Sequence, residues 1–435
     1  MMEQMKPSGI DWIGDIPSKW NIGKIKHFYC LQTGFTPDTT VSEYYDDNGS
    51  DWVNISDMDT ATHYIIETKY KISDRYLAEK HPKIVPEGSL LYSFKLSVGK
   101  VAFSGKDIYT NEAIASFLDS KDVNLGFLYY SSSLIIENAN INIYGAKILN
   151  QELISNAPII FPSIEEQQAI ANYLDRECAQ IDSIVADLEK QIAILQQYKK
   201  SLITETVTKG LDNSTSMKDS GIEGVGKIPS HWTVNRLKYA AVVKTGPFGT
   251  QLSASEYSDE GIPVINVKNI GYGTIIEDDL DYVPDEVCQR LAQHQLQLGD
   301  IVFGRKGAVD KHAIITESQI GWVQGSDCIR VRIYGDIDSR YLNYLFDTVY
   351  FAEYVLLYAV GTTMASINSD ILTNSKILVP PIIEQRGIAD FLDSKCRTLF
   401  EIIENKQSQL ATLQQHKKSL IYEYVTGKKR VKEVQ

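Results

Sequence analysis

The chain has 435 residues, of which 43% are hydrophobic and 23% charged. These proportions exclude an intrinsically disordered protein and predict a folded chain of about two to four domains. Its 43 Lys and Arg residues and 56 Asp and Glu residues give a net charge of −13. An acidic total argues against a protein that coats DNA unaided, because phosphate affinity comes from basic side chains. An acidic total charge is still compatible with a local basic groove.

Membrane, secreted and zinc-binding classes are not expected. No apolar run approaches the roughly 18 residues that a membrane helix requires. The N-terminal residues lack the apolar segment of a secretory signal. The 5 cysteines form no C-x-x-C pair, and scattered thiols in odd number predict a reducing, cytoplasmic location. The 7 histidines are scattered as well, so the sequence predicts no metal site.

The chain contains an internal repeat, the first feature to look for in a long sequence. The entrances are SGIDWIGDIPSKW (Ser8–Trp20) and SGIEGVGKIPSHW (Ser220–Trp232). Two further pairs close the units: Phe161–Asp175 with Val379–Asp393, and Tyr198–Thr208 with His416–Thr426. The middles, 35–155 and 247–370, share little identity. We therefore predict two diverged copies of one mixed α/β domain.

The predicted elements follow the same order in both middles. In the first unit, a short helix at 72–80 precedes a strand at 88–94 and a helix at 126–134. In the second, the equivalents are a helix at 284–296, a strand at 299–304 and a helix at 339–349. N-cap-like residues and Gly-bounded apolar runs support these assignments. The polar segment 209–221 between the units is rich in Gly and Ser and predicts a linker.

Each unit ends in a long helix that begins after proline. Apolar residues recur along it at alternating spacings of four and three, which is the period of a coiled-coil seam. Lys199, Lys406 and Lys417 interrupt the pattern. The seam residues are Leu174, Cys178, Ile181, Val185, Leu188, Ile192, Leu195 and Leu202 in the first helix, and Leu392, Cys396, Leu399, Ile403, Leu410, Leu413 and Leu420 in the second.

The common phase of the two seams predicts that the helices pair with each other, and an antiparallel pairing would place the two domains at opposite ends. Packing of each stripe onto its own domain is the alternative. A seam from 174 to 202 would hold two domains roughly 40 Å apart at 1.5 Å per residue. One turn of B-DNA is about 34–36 Å, so such a rod suits a gapped, bipartite DNA site.

The entrances GDIPSKW and GKIPSHW, the helix starts IEEQQAIANYLD and IEQRGIADFLD, and the exits KKSLITETVT and KKSLIYEYVT resemble the DNA-specificity subunit of Type I restriction–modification systems. The resemblance covers about 8–430. It implies an α+β fold with two mixed α/β target recognition domains, separated by two long helices that pair as an antiparallel coiled coil, with an internal pseudo-two-fold repeat. The corresponding boundaries are target recognition domain 1 at 1–160, spacer helix 1 at 161–210, a linker at 211–221, target recognition domain 2 at 222–378, spacer helix 2 at 379–428 and a tail at 429–435.

The resemblance also implies partners. Each domain would read one half of a gapped site in double-stranded DNA, and the helices would bind two methyltransferase (modification) subunits. Two restriction subunits, which are translocating nucleases, would join outside them. S-adenosylmethionine, ATP and Mg²⁺ would belong to those partners, so the chain itself would be non-catalytic and carry no cofactor.

We expect the DNA-contacting residues to lie in the diverged middles. The candidates there are side chains of the types that contact base edges and phosphates, mainly Arg, Lys, Asn, Gln, Ser and Thr. The loop that follows the shared strand is the strongest choice, since it is basic in both units. From the first unit we predict Lys95, Ser97, Lys100, Asn54, Tyr144, Lys147 and Asn150. From the second we predict Asn266, Lys268, Asn269, Arg305, Lys306, Lys311, Thr362, Thr363 and Ser366.

Other functions are less well supported by the sequence. The only Pro-Pro pair, in VPPI at 379–382, lacks the polar residue of an adenine methyltransferase loop, and no P-loop is present. Asp38, Glu67 and Lys69 match a loose nuclease pattern that the second unit lacks. A scaffold that does not read DNA is a further alternative. The specificity subunit of a smaller system with a fused nuclease–methyltransferase is another, which the sequence does not separate from Type I.

Overall fold

The computed structural model describes residues 4–59, 62–95, 97–120, 123–141, 145, 147–361 and 365–431. Two compact units divide the chain. Unit 1 comprises Met1–Asp187 and Gln409–Gln435, and unit 2 comprises Leu188–Ser408. Within the described ranges, no helix combines the length and apolar character needed to cross a bilayer.

Unit 1 is built mainly of short strands. Its strands are β1 (Met5–Pro7), β2 (Asp15–Pro17), β3 (Asn21–Lys24), β4 (Cys30–Thr33), β5 (Tyr45–Val53), β6 (Tyr64–Ile65), β7 (Tyr70–Ile72), β8 (Leu90–Ser93), β9 (Val101–Ser104), β10 (Tyr109–Thr110), β11 (Ile114–Leu118), β12 (Asn140–Ile141), β13 (Lys147–Ile148) and β14 (Pro158–Phe161). Its short helices are α1 (Asp74–Lys80), α2 (Leu125–Ser131) and α3 (Gln151–Asn156). The long helix α4 spans Ile164–Lys209, so its second half belongs to unit 2.

Unit 2 repeats most of this order. Its strands are β15 (Met217–Asp219), β16 (Lys227–Pro229), β17 (Thr233–Arg236), β18 (Ala241–Thr245), β19 (Ile262–Ile265), β20 (Tyr272–Gly273), β21 (Asp281–Val283), β22 (Ile301–Gly304), β23 (His312–Ile314), β24 (Val323–Gln324), β25 (Cys328–Ile333) and β26 (Lys376–Val379). Its short helices are α5 (Asp285–Arg290), α6 (Ser339–Phe346), α7 (Val349–Tyr358) and α8 (Ser369–Asn374). The long helix α9 spans Ile382–Val425 and ends in unit 1.

The two larger sheets of the units match strand for strand. Each unit has a mixed five-stranded sheet, ordered β4-β11-β8-β9-β6 in unit 1 and β18-β25-β22-β23-β20 in unit 2. Each also has a three-stranded sheet, β10-β5-β7 and β24-β19-β21, with one parallel and one antiparallel pairing. The predicted duplication of one mixed α/β domain is confirmed. It extends through the middle segments 35–155 and 247–370, where sequence identity between the units is low.

The repeated motifs hold the start of each unit to the start of its long helix. The buried Trp20 donates its indole N–H to Glu166 at 3.2 Å, and the buried Trp232 donates to Glu384 at 2.9 Å. The next residue, Gln167 or Gln385, is also buried and accepts the backbone N–H of the N-cap residue of α2 or α6. Buried polar groups must find partners, which explains why Trp and Glu-Gln recur together.

In unit 1, the first half of α4 packs antiparallel to the end of α9. The rings of Tyr173 and Tyr424 lie 4.5 Å apart, and Lys417 contacts Asp182 at 2.6 Å, so residue numbers rise along one helix as they fall along the other. Along the same contact, Leu174, Cys178, Ile181 and Leu420 form a buried cluster, and the partly buried Val185 and Leu413 pack against it. The Lys417 interruption of the seam therefore forms an ion pair at the edge of the apolar contact.

In unit 2, the second half of α4 packs against the start of α9. Lys406 donates to Gln191 at 2.6 Å, and Leu202 packs against the cluster that contains Leu392 and Cys396. The remaining seam residues of unit 2, Leu188, Ile192, Leu195, Leu399 and Ile403, are each buried or half-buried, and so is Leu410 of unit 1. The expected antiparallel pairing of the long helices is thus confirmed within each unit.

Some boundaries differ from those predicted. The helix expected over 284–296 ends at Arg290 because Leu291 leaves the helical region, with φ −91° and ψ 21°, and a 3₁₀ turn follows. The helix expected over 339–349 ends at Phe346, and a second one starts at Val349. The segment 211–221, expected to be a linker, includes β15, which pairs with β16. The compact units also cut across the expected segments, because each contains half of α4 and half of α9.

Candidate nucleic-acid interface

One group of basic candidates in unit 2 lies on the loop 305–311 between β22 and β23, which we call the basic loop. Its first residue, Arg305, donates its backbone N–H to the carbonyl of Asp327 at 2.7 Å. The guanidinium lies 6.0 Å from the centre of the Phe248 ring and has no hydrogen bond to another described residue. Lys306 extends toward the Asp327 carboxylate at 3.1 Å, and both side chains are about half exposed. Arg305 is therefore the basic side chain of this pair that is not bound to a carboxylate.

A second predicted segment, GTTMASIN, meets the basic loop. Ser366 forms a backbone bridge with Lys306, Ile367 donates to the Arg305 carbonyl at 2.9 Å, and Gly307 donates to the Ala365 carbonyl at 2.8 Å. These bonds place Arg305, Lys306 and Ser366 beside one another, an arrangement that the sequence did not predict. Thr362 and Thr363 lie outside the described residues.

The far end of the basic loop contacts the edge of the five-stranded sheet. Lys311 places its ammonium 5.5 Å from the ring centre of Tyr272, within the range of a cation–π contact. The Tyr272 hydroxyl donates to Asp310 at 3.1 Å. Tyr272 is 63% exposed, so this end of the loop presents an aromatic ring together with a basic residue.

The candidates Asn266, Lys268 and Asn269 serve a different purpose in this structure. Asn269 is fully buried, and its amide donates to the carbonyls of Ile276 and Asp278. Asn266 donates to Asp281 at 2.7 Å, and Lys268 contacts Asp279 and Asp281 at 3.0 and 3.3 Å. The hydrogen bond to Asp279 is the main reason that the pKa of Lys268 is raised. These side chains hold their own loop together, and carboxylates already occupy the two that are not buried.

The equivalent loop of unit 1, between β8 and β9, is less open. Lys95 is exposed with its ammonium 5.9 Å from the Phe94 ring, and by strand register it occupies the position of Lys306. Ser97 is exposed, and its carbonyl accepts a hydrogen bond from the Ser93 hydroxyl. Lys100 forms an ion pair with Asp59 at 2.5 Å. Lys95 is the candidate of this loop that remains fully available to an anionic partner.

The weaker candidates of unit 1 have local roles. Asn54 starts a 3₁₀ helix in a capping box with Asp57. Asn150 caps α3 by accepting the Leu153 N–H at 2.7 Å, as Asn368 caps α8 in unit 2. Lys147 pairs with Glu137 at 2.9 Å. Tyr144 lies outside the described residues.

A buried ionic network supports the strand that carries the basic loop. Asp300, which is 1% exposed, directly precedes β22 and accepts two hydrogen bonds from Arg332, at 2.8 and 2.6 Å. Arg330 is also buried and donates to the carbonyls of Gln293 and Gln295. His294 lies near this network, where burial lowers its pKa to about 4, so it is neutral at pH 7. The network joins β22 to β25 and fixes the base of the loop.

Two of the three residues of the loose nuclease pattern, Asp38 and Lys69, have a local partner. Asp38 accepts two hydrogen bonds from Thr40, at 2.9 and 2.7 Å, and these lower its pKa. Lys69 lies with its ammonium 5.3 Å from the Tyr70 ring, and Glu67 is exposed. In the part of the chain that the structure describes, no group of three or more His, Cys, Asp and Glu residues is arranged to hold a metal ion.

Sequence reasoning missed two residues beside the basic loop. The carbonyl of Asp327 accepts the backbone N–H of Arg305, and its carboxylate contacts the Lys306 ammonium. Asp327 lies in a turn before β25, and nothing in the sequence pattern indicated these contacts. Phe248 was part of GPFG, which reads as an isolated Gly-rich turn. Its 60% exposure is visible only in the structure.

Comparisons with known proteins identify the family. A model of the Type I restriction modification DNA specificity domain matches residues 17–194 and again 229–412. The specificity subunit of the MjaVIII Type I restriction enzyme of Methanocaldococcus jannaschii is 26% identical, with 96% of this chain and 94% of the relative covered.

Solved structures agree on the fold. A chain from a structure of the type I R-M system has a TM-score of 0.71 at 15% identity, covering 94% of this chain and 98% of that one. The HsdS subunit from Thermoanaerobacter tengcongensis has a TM-score of 0.50 at 15% identity, with 95% and 98% covered. With the family model matching both repeats, the chain belongs to the family of Type I restriction–modification DNA specificity subunits.

Proposed function

We propose that the chain selects the DNA sequence on which a Type I restriction–modification complex acts. The domain of each unit would read one half of a bipartite, gapped site in double-stranded DNA. The observation that carries this proposal is the pair of matching sheets that present different side chains at the same place: Lys95 beside a buried Phe94 in unit 1, and Lys306 beside Arg305 in unit 2. One scaffold with two surfaces suits the recognition of two different base sequences.

The chemistry of the basic loop fits this role. An Arg side chain can bind guanine O6 and N7 with two hydrogen bonds in the major groove, and the Arg305 guanidinium is not engaged by a carboxylate. Lys306, Lys311 and Lys95 suit phosphate oxygens, which position a protein on the duplex without reading bases. The acidic total charge then favours binding that depends on these local groups rather than on general attraction to DNA.

The long helices would bind two methyltransferase subunits, and two restriction subunits would join outside them. Apolar side chains on the outside of the helix pair support this proposal. In unit 2, Ile194, Tyr198 and Phe400 are 54%, 54% and 57% exposed. Ile194 and Tyr198 lie one turn apart on α4, and adjacent exposed apolar residues of this kind are typical of a protein interface. Methyl transfer and cleavage, with S-adenosylmethionine, ATP and Mg²⁺, would take place on the partners in the cytoplasm.

The test is an exchange of one reading surface. Residues 247–370 are replaced by the equivalent segment of another specificity subunit, and the complex with its methyltransferase subunits is mapped for adenine methylation. We expect a new sequence in one half-site and an unchanged sequence in the other. Exchange of 35–155 is the matched control and should alter the opposite half. Alteration of both halves by one exchange would contradict the proposal.

A further inference from the structure

Phe248 is a large apolar side chain that the structure holds in water. It is 60% exposed, in the loop between β18 and the 3₁₀ turn Gly249–Gln251. Burial of a Phe side chain contributes about 1.5–3 kcal/mol, and the exposed ring forgoes much of that. A single exposed apolar residue is ordinary, so the argument depends on how this one is held and on its neighbours.

The loop that carries Phe248 is anchored at its start. Gly246 donates its N–H to the Cys328 carbonyl at 2.9 Å, and a Cβ at Gly246 would overlap the carbonyl of Gly325. Pro247 is buried and has a restricted φ angle. Phe248 itself is extended, with φ −142° and ψ 162°. The ring is therefore presented from a fixed backbone.

Unit 1 provides an internal comparison. Gly34 makes the same close approach, there to the carbonyl of Thr110, but the following Phe35 turns inward and stacks on Tyr76 at 5.1 Å between ring centres. Unit 2 has Pro247 between the glycine and the phenylalanine. The outward ring is thus specific to unit 2.

The Arg305 side chain lies over one face of the Phe248 ring, at the outer limit of a cation–π contact. The Arg305 guanidinium lies 6.0 Å from its centre. A side chain that inserts between base pairs needs both faces of its ring free, so this ring can offer only its edge and its other face. In the major groove, the apolar group that such an edge meets is the C5-methyl of thymine.

We propose that Phe248 reads a thymine in the half-site of unit 2 by contact with its C5-methyl group, next to the base that Arg305 contacts. The inference rests on the proposed function. It adds a reading residue of a different chemistry, since Phe248 contributes no hydrogen bond and no charge. Its effect is therefore independent of salt, unlike that of the neighbouring lysines.

The test uses the full chain assembled with its methyltransferase subunits, and duplexes that contain the site found by methylation mapping. Each thymine of the unit 2 half-site is replaced in turn by deoxyuridine, which removes only the methyl group. At one of these positions, the native complex should bind the deoxyuridine duplex about fourfold more weakly than the thymine duplex. This factor corresponds to the free energy of burying one apolar carbon. Phe248→Ala should bind the thymine duplex at least about fourfold more weakly than native and should not distinguish thymine from deoxyuridine there. Phe248→Leu should retain part of the discrimination.

Tyr239→Ala is the matched control. Tyr239 is 68% exposed with Lys238 5.2 Å from its ring centre. It lies near Tyr334, at the opposite end of β25 from the Phe248 loop, roughly 20 Å away at 3.3 Å per residue. The Tyr239→Ala variant should leave DNA binding unchanged.

Several results would overturn the inference. They are a unit 2 half-site without thymine in either strand, equal binding of every deoxyuridine duplex, unchanged discrimination in Phe248→Ala, or loss of complex assembly in that variant. If the native complex recognised no bipartite site at all, the proposed function would fail instead. Native recognition with an inert Phe248 would reject this inference alone.

Discussion

Asp327→Asn should increase the affinity of the assembled complex for DNA of any sequence. In the native chain, the Asp327 carboxylate lies 3.1 Å from the Lys306 ammonium, so it competes with any phosphate for that lysine. Asparagine keeps the size of the side chain and the backbone carbonyl that accepts the Arg305 N–H. Only the competing charge is removed.

The size of the effect follows from counterion release. Each phosphate neutralised by a basic group contributes about −0.9 to the slope of log K against log salt concentration. If Lys306 becomes fully available, the slope should steepen by up to about 0.9. Between 50 and 200 mM salt, affinity would then fall about three- to fourfold more than in the native complex. Folding stability should barely change, because both partners are about half exposed and such ion pairs contribute about 0–1 kcal/mol.

The assay is a titration of the assembled complex against specific and unrelated duplexes at several salt concentrations. Asp259→Asn removes another exposed carboxylate of unit 2 and controls for the change in net charge. An unchanged slope in Asp327→Asn, or the same change in both variants, would refute a phosphate contact by Lys306.

The other predictions concern a base contact, a buried network, the helix pair and the isolated chain. Arg305→Ala should weaken binding at the unit 2 half-site by about 1–3 kcal/mol, and unchanged affinity across salt concentrations would remove Arg305 from the interface. Asp300→Asn should lower the free energy of unfolding by about 3–5 kcal/mol, because Arg332 loses the carboxylate it contacts at 2.6 Å. Denaturant unfolding measures this change, and a loss below about 1 kcal/mol would contradict the prediction. Lys417→Met should alter stability by no more than about 1 kcal/mol, since the pair with Asp182 is partly exposed, and a larger loss in a melting curve would show a stronger contact. The purified chain should transfer no methyl group from S-adenosylmethionine and cut no DNA; either activity without partners would place chemistry in this chain.

The helix pair was predictable from sequence because its pattern is periodic. Residues such as Leu174, Leu413 and Leu420 recur at a spacing that only one face of a helix can satisfy. The repeat of Trp20 and Glu166 at Trp232 and Glu384 was visible too. The hydrogen bond that joins them was not, because each Trp lies more than a hundred residues from its Glu.

The candidate interface was harder to predict because residue type does not reveal how a polar side chain is used. Asn269 and Asn150 have the chemistry of base-reading residues, but one is buried under carbonyls and the other caps a helix. Lys306 and Lys100 are paired with carboxylates that tertiary structure places beside them, whereas Arg305 is not. The location of the basic loop after a shared strand, in contrast, followed from the order of elements.

The division of each long helix between the units has a consequence for synthesis of the protein. The buried cluster that holds Trp20 and Ile170 also needs Leu420, Tyr424 and Val431. At about 5–20 residues per second, the ribosome needs roughly 10–45 s to pass from Asp187 to Gln409, where the last segment of unit 1 begins. During that interval the apolar side of unit 1 has no covering helix while unit 2 is being made. The nascent chain is therefore most open to chaperones and proteases late in translation. A stop codon shortly before 409 would leave unit 1 incomplete although all of its described strands were present.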